Sequence, residues 1–416
     1  MKLLSRVALS GAAVVAATML HTGAVHAGCG IEKGAVSIIA NDFPALHAVA
    51  GAAEACAGNG VTVTKNHTAE HKDLIVPALT PNPAEYSVAI VANSTLVTLM
   101  NDGLVRPLND LVAKHGSALK KNQLITIDGK VMAVAFMANA QHLFYRDDVL
   151  QQAGVAVPGT YSELLAAAKA IKDKGLMDYP VSGTYKAGWN LAEEFVNMYL
   201  GHGGEFFKSG SAEPAVNGEK GVATLNMMKA LTEYMNPDFL TFDSNAVQAQ
   251  WEAGDVALTN LWGSRAGAVL DDEGSTPEIV VATKFASAPA VGGGEGVASS
   301  LWWDGFAIAA NISDEDAEAS FQAMMNGVSL SMAIANPEAA TWLIDGAVPG
   351  VNSVGVAATA GGGAEPYPMV PFMGLMHTAL GNEIVEFLQG NESAEQALAD
   401  VEAAYITAAK EGGFIN

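Results

Sequence analysis

The chain has 416 residues, half of them apolar, and its 44 acidic residues against 21 basic ones give a formal net charge of −23 at pH 7. Nucleic acid and anionic membrane surfaces are excluded as partners by that balance, because phosphate recognition needs a basic face. The length suits two domains or one large bilobal unit with a substantial core.

Residues 1–27 read as a secretory signal peptide. Lys2 and Arg6 form a basic start, "VALSGAAVVAATML" an apolar centre too short to span a bilayer, and "AVHA" a small-residue cleavage site with cutting expected after Ala27. Removal of Lys2 and Arg6 leaves 19 basic residues facing 44 acidic ones, a net charge of −25 on an exported, periplasmic chain. Cys29 and Cys56 are the two cysteines. In an oxidising compartment they read as a disulfide tying the start of the first strand to the end of the first helix. The alternatives are two buried thiols, or a lipidated Cys29, although His26 stands where a lipidation box wants Leu.

Next come three strand-like runs, "AVSIIA" (35–40), "VTVTK" (61–65) and "YSVAIVA" (86–92), with a helical pattern from Pro44 to Cys56 between the first two. This alternation predicts a mainly parallel sheet covered by helices, with ligands expected at the carboxyl ends of the strands. Asn41, Asp42 and Phe43 follow the first strand, and Asn93 and Ser94 the third. The polar ones are candidate hydroxyl partners, and turn formation or capping is the plainer role for the same residues. Between them, His67-Thr-Ala-Glu-His71 has the H-x-x-E-H spacing of some zinc peptidases, which on a helix puts two imidazoles on one face beside Glu70. A catalytic zinc needs a third ligand and supporting partners, and nothing downstream supplies them in a recognisable setting. No metal and no cofactor are expected.

Further on, Thr160-x-x-Glu163 is a capping box opening a helix that Gly175 ends. Helices are predicted over 190–202, 219–235, 244–253, 376–389 and 393–411, and glycine runs at 292–296 and 361–363 mark loops. Trp189, Trp262, Trp302 and Trp303 stand in or beside loops or strand ends, whereas Trp251 and Trp342 read as packing residues. In "SSLWWDGF" (299–306) a strand would send Trp302 and Trp303 to opposite faces, leaving open which of them is core. Aromatic rings against the C–H faces of a sugar, with Asp304 or Arg265 on its hydroxyl rim, would make a carbohydrate site. Arg265 is equally suited to a carboxylate, sulfonate or phosphate on the solute, or to a surface salt bridge.

Five blocks occur in an order that resembles the family 1 extracellular solute-binding proteins of ABC importers, the group that includes the maltose-binding and other sugar receptors. They are "LVTLMNDGLVRPLNDLV" (96–112), the stretch from "DGKVMAV" (128–134) to "PGTYSEL" (158–164), "QWEAGDVALTNLWGS" (250–264), "WDGFAIAANISDEDAEASF" (303–321) and "EIVEFLQGNESAEQALADVEAAY" (383–405). The resemblance implies an α/β fold of the periplasmic-binding-protein type II kind, two discontinuous lobes with a hinge and an interlobe ligand cleft. It puts 28–138 and 287–340 in lobe 1, and 139–286 and 341–416 in lobe 2. It implies a monomer that captures a sugar or related polyhydroxylated solute by lobe closure and delivers it to ABC permease subunits in the inner membrane, without catalysis. Asn41, Asp42, Phe43, Glu70, Asn93, Ser94, Trp189, Trp262, Arg265, Trp302, Trp303 and Asp304 are the expected ligand-binding residues. The other readings are a secreted carbohydrate-active hydrolase, pairing Asp304 with Asp42 or Glu70, and a zinc hydrolase using His67, Glu70 and His71.

Overall fold

The computed structural model describes residues 29–58, 60–271, 273–291, 296–351 and 353–416. The signal peptide, its cleavage after Ala27 and most of the 292–296 glycine run lie outside these residues. Among the described residues no helix is long and apolar enough to cross a membrane.

Two mixed sheets organise the chain. The larger contains β1 (Gly34–Ala40), β2 (Val61–His67), β3 (Val88–Ala92), β4 (Leu124–Ile127), β5 (Lys130–Asn139), β12 (Ser300–Ile308), β13 (Thr341–Trp342) and β14 (Glu365–Pro366), in the order β13-β5-β12-β3-β1-β2 with β4 beside β5 and β14 beside β12. The smaller contains β6 (Gln141–Arg146), β7 (Val181–Ser182), β8 (Leu258–Trp262) and β9 (Thr283–Ala286), in the order β7-β8-β6-β9. Between β9 and β12 a short antiparallel pair forms from β10 (Ala290–Val291) and β11 (Gly296–Val297).

The expected parallel order holds for β1, β2 and β3. It fails beyond them: β12 runs antiparallel to both β3 and β5, and β6 antiparallel to β8 and β9. The cause is the chain path, since β12 is a strand returning from the second sheet rather than one entered from a helical crossover. Adjacent Ile38 and Ile39 pack into different apolar clusters, so the large sheet is buried on both faces. A third cluster fills the second lobe, between the smaller sheet and helices such as Tyr161–Asp173 and Trp189–Gly201.

The chain crosses between sheets at Ala140, where β5 gives way to β6. It returns later than the expected position 287: Ala290 bridges Thr160, and Val291 and Ala298 pack in the second lobe's core. Ser299 then donates its hydroxyl to the Gln141 carbonyl at 2.8 Å, bonding the two crossing segments together. The third crossing follows Trp342, because Thr341 and Trp342 still pair with β5.

Most local signals behave as the sequence reads, and one helix does not. Thr160 and Glu163 form the reciprocal capping box. The stretch predicted as one helix over 376–389 divides into Met373–Glu383 and Val385–Gln389 around Ile384. Cys29 and Cys56 are disulfide-bonded across a separation of 27 residues, Cys56 standing just past helix α1 (Pro44–Glu54). Trp251 is fully buried and donates to Thr283, while Trp342 packs near Phe136.

Candidate functional site

A narrow cavity of about 80 Å³ lies between the two sheets. The first lobe contributes the ends of parallel strands and the helix starts that follow them: Asn41 and Phe43 after β1, Ser94 and Thr95 in the first turn of α3 (Asn93–Asn101), and His71 and Lys72 at the start of α2 (His71–Leu79). The second lobe contributes Trp189, Ser244, Trp262, Ser264 and Arg265. The crossing segments add Asn139, Trp302 and Asp304.

Strand alternation explains the last pair. Trp302 and Asp304 share one face of β12 and both line the cavity, while Trp303 faces the opposite way and packs with the cluster around Ile39 and Val91. A register irregularity between Asp304 and Gly305 marks a bulge against β5, and a side chain at Gly305 would meet the Val134 carbonyl at 2.5 Å. Only glycine admits that approach.

Three indoles form the cavity's aromatic wall. Trp262 and Trp302 meet edge to face at 5.7 Å, Trp189 and Trp302 at 5.6 Å, and Trp189 and Trp262 lie 6.4 Å apart. Hydrogen bonds fix their orientation. The Trp302 indole N–H donates to Glu193 Oε1 at 2.9 Å and to Ser300 Oγ at 2.7 Å, and its ring lies 4.3 Å from Tyr367. Burial pushes the Glu193 carboxyl up to about 8, with the Ser300 and Trp302 hydrogen bonds and Lys72 pulling the other way. His377 supports Trp189 from behind: its Nε2 bonds the Trp189 carbonyl at 2.9 Å and its Nδ1 the Tyr367 hydroxyl at 3.0 Å. Burial drives His377 down to about 3, and a neutral ring must donate from Nε2 and accept at Nδ1.

Charge enters the cavity at three places. The Lys72 ammonium sits 2.9 Å from the centre of the Trp189 ring, and burial pushes it down to about 7 against the attraction of Glu193 and Asp304. Burial raises Asp304 to about 7, with Lys72 pulling the other way. Arg265, 8% exposed, donates from Nη1 to Gln248 Oε1 at 3.3 Å and stands 5.7 Å from the Phe43 ring. Burial lowers it to about 10, leaving it charged. Asn139 holds the turn that carries Arg265, donating to Ser264 Oγ at 3.1 Å and accepting from the Ser264 N–H at 3.2 Å.

Of the residues expected in the site, Asn41, Phe43, Ser94, Trp189, Trp262, Arg265, Trp302 and Asp304 come together here. Four stand elsewhere. Asp42 is exposed and bonds His47 at 2.7 Å; Glu70 is exposed and accepts from the Thr68 hydroxyl at 2.6 Å. Asn93, 1% exposed, joins α3 to β12 through the Leu301 carbonyl and the Trp303 N–H. Trp303, partly buried, packs against the core cluster described above.

The H-x-x-E-H geometry needs correction. β2 runs through His67, pairing it with Ala40, and α2 begins only at His71, so the two imidazoles do not share a helix face. His67 stacks on His47 at 3.9 Å. His71 lines the cavity, burial lowers it to about 4, and its buried Nε2 has no hydrogen-bond partner among the described residues. No group of three or more His, Cys, Asp or Glu among the described residues is arranged to hold a metal ion.

Lys72, Asn139, Ser244 and Ser264 were not legible as site residues. The one available signal was position: Lys72 follows the carboxyl end of a parallel strand, where ligands of such sheets gather.

Residues 40–326 match the model of the bacterial extracellular solute-binding protein family. The chain belongs to that family. A probable ABC transporter-binding protein of Deinococcus radiodurans is 28% identical over 201 residues, 46% of this chain and 46% of that one, so the match spans just under half of that curated relative. Solved solute-binding proteins share the two-lobed type II fold along nearly their whole length. One from Agrobacterium radiobacter K84, in complex with ribitol, has a TM-score of 0.78 at 20% identity, covering 92% of this chain and 99% of that one. A maltose-bound protein of T. maritima has a TM-score of 0.79 at 16% identity, covering 90% and 99%. One from Agrobacterium vitis S4, with bound D-mannitol, has a TM-score of 0.76 at 18% identity, covering 92% and 100%.

Proposed function

We propose that this solute-binding protein is the periplasmic receptor of an ABC importer, and that it captures a carbohydrate or related polyhydroxylated solute between its lobes for delivery to a membrane permease. The observation that carries the reading is the interlobe cavity itself, with three tryptophans on one wall and Asn41, Ser94, Asn139 and Asp304 among its polar partners. Indole faces suit the C–H faces of a sugar or polyol, and fixed amides, hydroxyls and carboxylates suit its hydroxyls. Ribitol, maltose and D-mannitol in similar folds support the same class of solute. Because both lobes line the cavity, a bound solute touches both and favours closure, which only differential contact can do.

A hydrolase reading needs two carboxylates flanking a glycosidic bond. Asp42 and Glu70, its candidate partners for Asp304, do not line the cavity, and Asp304 is the single carboxylate among its described lining residues. We therefore read the protein as a binder that does not turn its solute over, acting as a monomer. Dialysed protein screened by thermal shift against sugars, polyols and their derivatives tests this. Stabilisation of about 2.7 kcal/mol at a hundredfold excess over Kd is expected, with the solute recovered unchanged. Product formation, or no stabilisation by any member, overturns the reading.

A further inference from the structure

The cavity's charge is of the opposite sign to the chain's. The protein carries −23 overall, with more than two acidic residues for each basic one. Yet the titratable side chains on the cavity wall, His71 aside, are Lys72, Arg265 and Asp304, two basic and one acidic, with burial bringing Lys72 and Asp304 both to about 7. Burial lowers His71 beside them and raises Glu193 behind Trp302, each toward its neutral form.

Neither cation has a carboxylate within ion-pair distance among the described residues. Arg106 and Arg146, by contrast, both do, at 2.8 Å each. Arg265 is as buried as Arg146, but among the described residues its hydrogen bond goes to the neutral amide of Gln248, and the carboxylates that attract it, Asp243, Asp42 and Glu252, stay beyond ion-pair distance. A guanidinium has five donors, and a buried charge left without a counter-ion is costly. Lys72 rests on the Trp189 indole face, with Glu193 and Asp304 attracting it from beyond ion-pair distance. The two cations approach from opposite lobes, Lys72 from the start of α2 and Arg265 from the turn after β8. Ser94 and Thr95 bring the first turn of α3, the positive end of its dipole, to the same cavity.

We propose that the solute is a polyhydroxylated monocarboxylate, a sugar acid of the aldonate or uronate kind, whose carboxylate is held between Lys72 and Arg265 while its carbon chain lies along the tryptophan wall. The proposal rests on the cavity being the solute site. A carboxylate suits the arrangement better than a phosphate monoester because Lys72 and Asp304, both brought to about 7, offset one another and Arg265 leaves the wall one net positive unit, which a monoanion balances and a dianion exceeds. It also couples recognition to closure: with a cation on each lobe, the anion completes its pairing only when the lobes meet.

Matched series test this: hexoses and pentoses, each as neutral sugar, alditol, aldonate, uronate and 6- or 5-phosphate, titrated calorimetrically into the full-length exported protein. A carboxylate member is expected to bind at least about tenfold more tightly than its neutral counterparts, as a charge-assisted bond to Arg265 implies. Arg265→Gln is expected to abolish that preference, with residual binding equal for acid and neutral members. Lys72→Gln is expected to reduce it and Lys72→Arg to restore it, so the proposal stays testable should the Arg265 variant fail to fold. A neutral sugar or alditol that binds as tightly as its acid, or a phosphate that binds more tightly, overturns the charge assignment and leaves the sugar-receptor reading standing. Absence of binding by every member removes that reading as well.

Discussion

The ammonium of Lys72, on the first lobe, lies 2.9 Å from the ring centre of Trp189, on the second. A cation over an indole face is worth about 0.5–2 kcal/mol, more as water is excluded. The contact therefore acts as a clasp between lobes, and it covers the indole surface on which a solute would stack. Solute entry must replace an internal interaction, and Lys72 must turn from Trp189 toward the solute.

Removing the clasp should loosen the ligand-free protein. Lys72→Gln is expected to shift the open-to-closed ratio toward open by roughly twofold to thirtyfold, the equivalent of that energy. Small-angle scattering checks it as a larger radius of gyration without solute, returning to the wild-type value when Asn101, which donates to the Pro371 carbonyl at 2.8 Å across the same interface, and the remaining interlobe contacts are reinforced by a bound solute. An unchanged radius would show that the contact holds nothing closed.

The two adjacent tryptophans of β12 should separate by phenotype. Trp302 lines the cavity and Trp303 packs under the sheet. Trp302→Ala is expected to weaken solute binding by about 2 kcal/mol or more, the size of an interface hot spot. Trp303→Ala is expected to leave affinity within about threefold while lowering stability by ~2–3 kcal/mol, somewhat less than a fully buried indole because it is only partly buried. Calorimetric titration at a temperature where both variants are folded, combined with denaturant unfolding, distinguishes the two. Equal losses of affinity would place both rings in the site.

Much of this architecture was written in local pattern. The β-branched runs that become β1, β2 and β3, the Thr160–Glu163 box and the alternation across Trp302 and Trp303 need only a few neighbouring residues to decide them. Which indole faces the cleft was not decidable, because the large sheet is buried on both faces and either side accepts a tryptophan. Asn93 looked like a ligand partner for the same reason that it serves as a brace: an amide after a strand end bonds whatever is nearest, here the backbone of β12. Lys72 was illegible because its burial comes from the other lobe. A lysine in the first turn of a short helix reads as a solvated charge until Trp189 closes over it. The H-x-x-E-H spacing does not become a shared helix face because one extra residue of pairing, His67 with Ala40, keeps the first histidine in the strand.

Glu193 offers a test through pH. Burial holds its folded-state value at about 8, against an ordinary 4.5. Between those values the folded protein keeps a proton that the unfolded chain has released, so the contribution of Glu193 to stability falls as pH rises through the window. Asp304 acts in the same direction up to about 7. His71, His142 and His377 act oppositely below their ordinary 6.5, and Lys72 oppositely above about 7, so the wild-type profile alone is a mixture. Glu193→Gln isolates the one term, because its amide oxygen can still accept from Trp302 and Ser300 while the other groups remain. The variant is expected to gain stability relative to wild type as pH rises from 5 to 8, each pH unit being worth up to about 1.4 kcal/mol. Parallel denaturant titrations across that range measure the difference directly. A relative loss at pH 8 would mean that Glu193 is ionised in the folded state and paired with Lys72, and Lys72 would then be a counter-ion to the tryptophan wall's support rather than a charge reserved for solute.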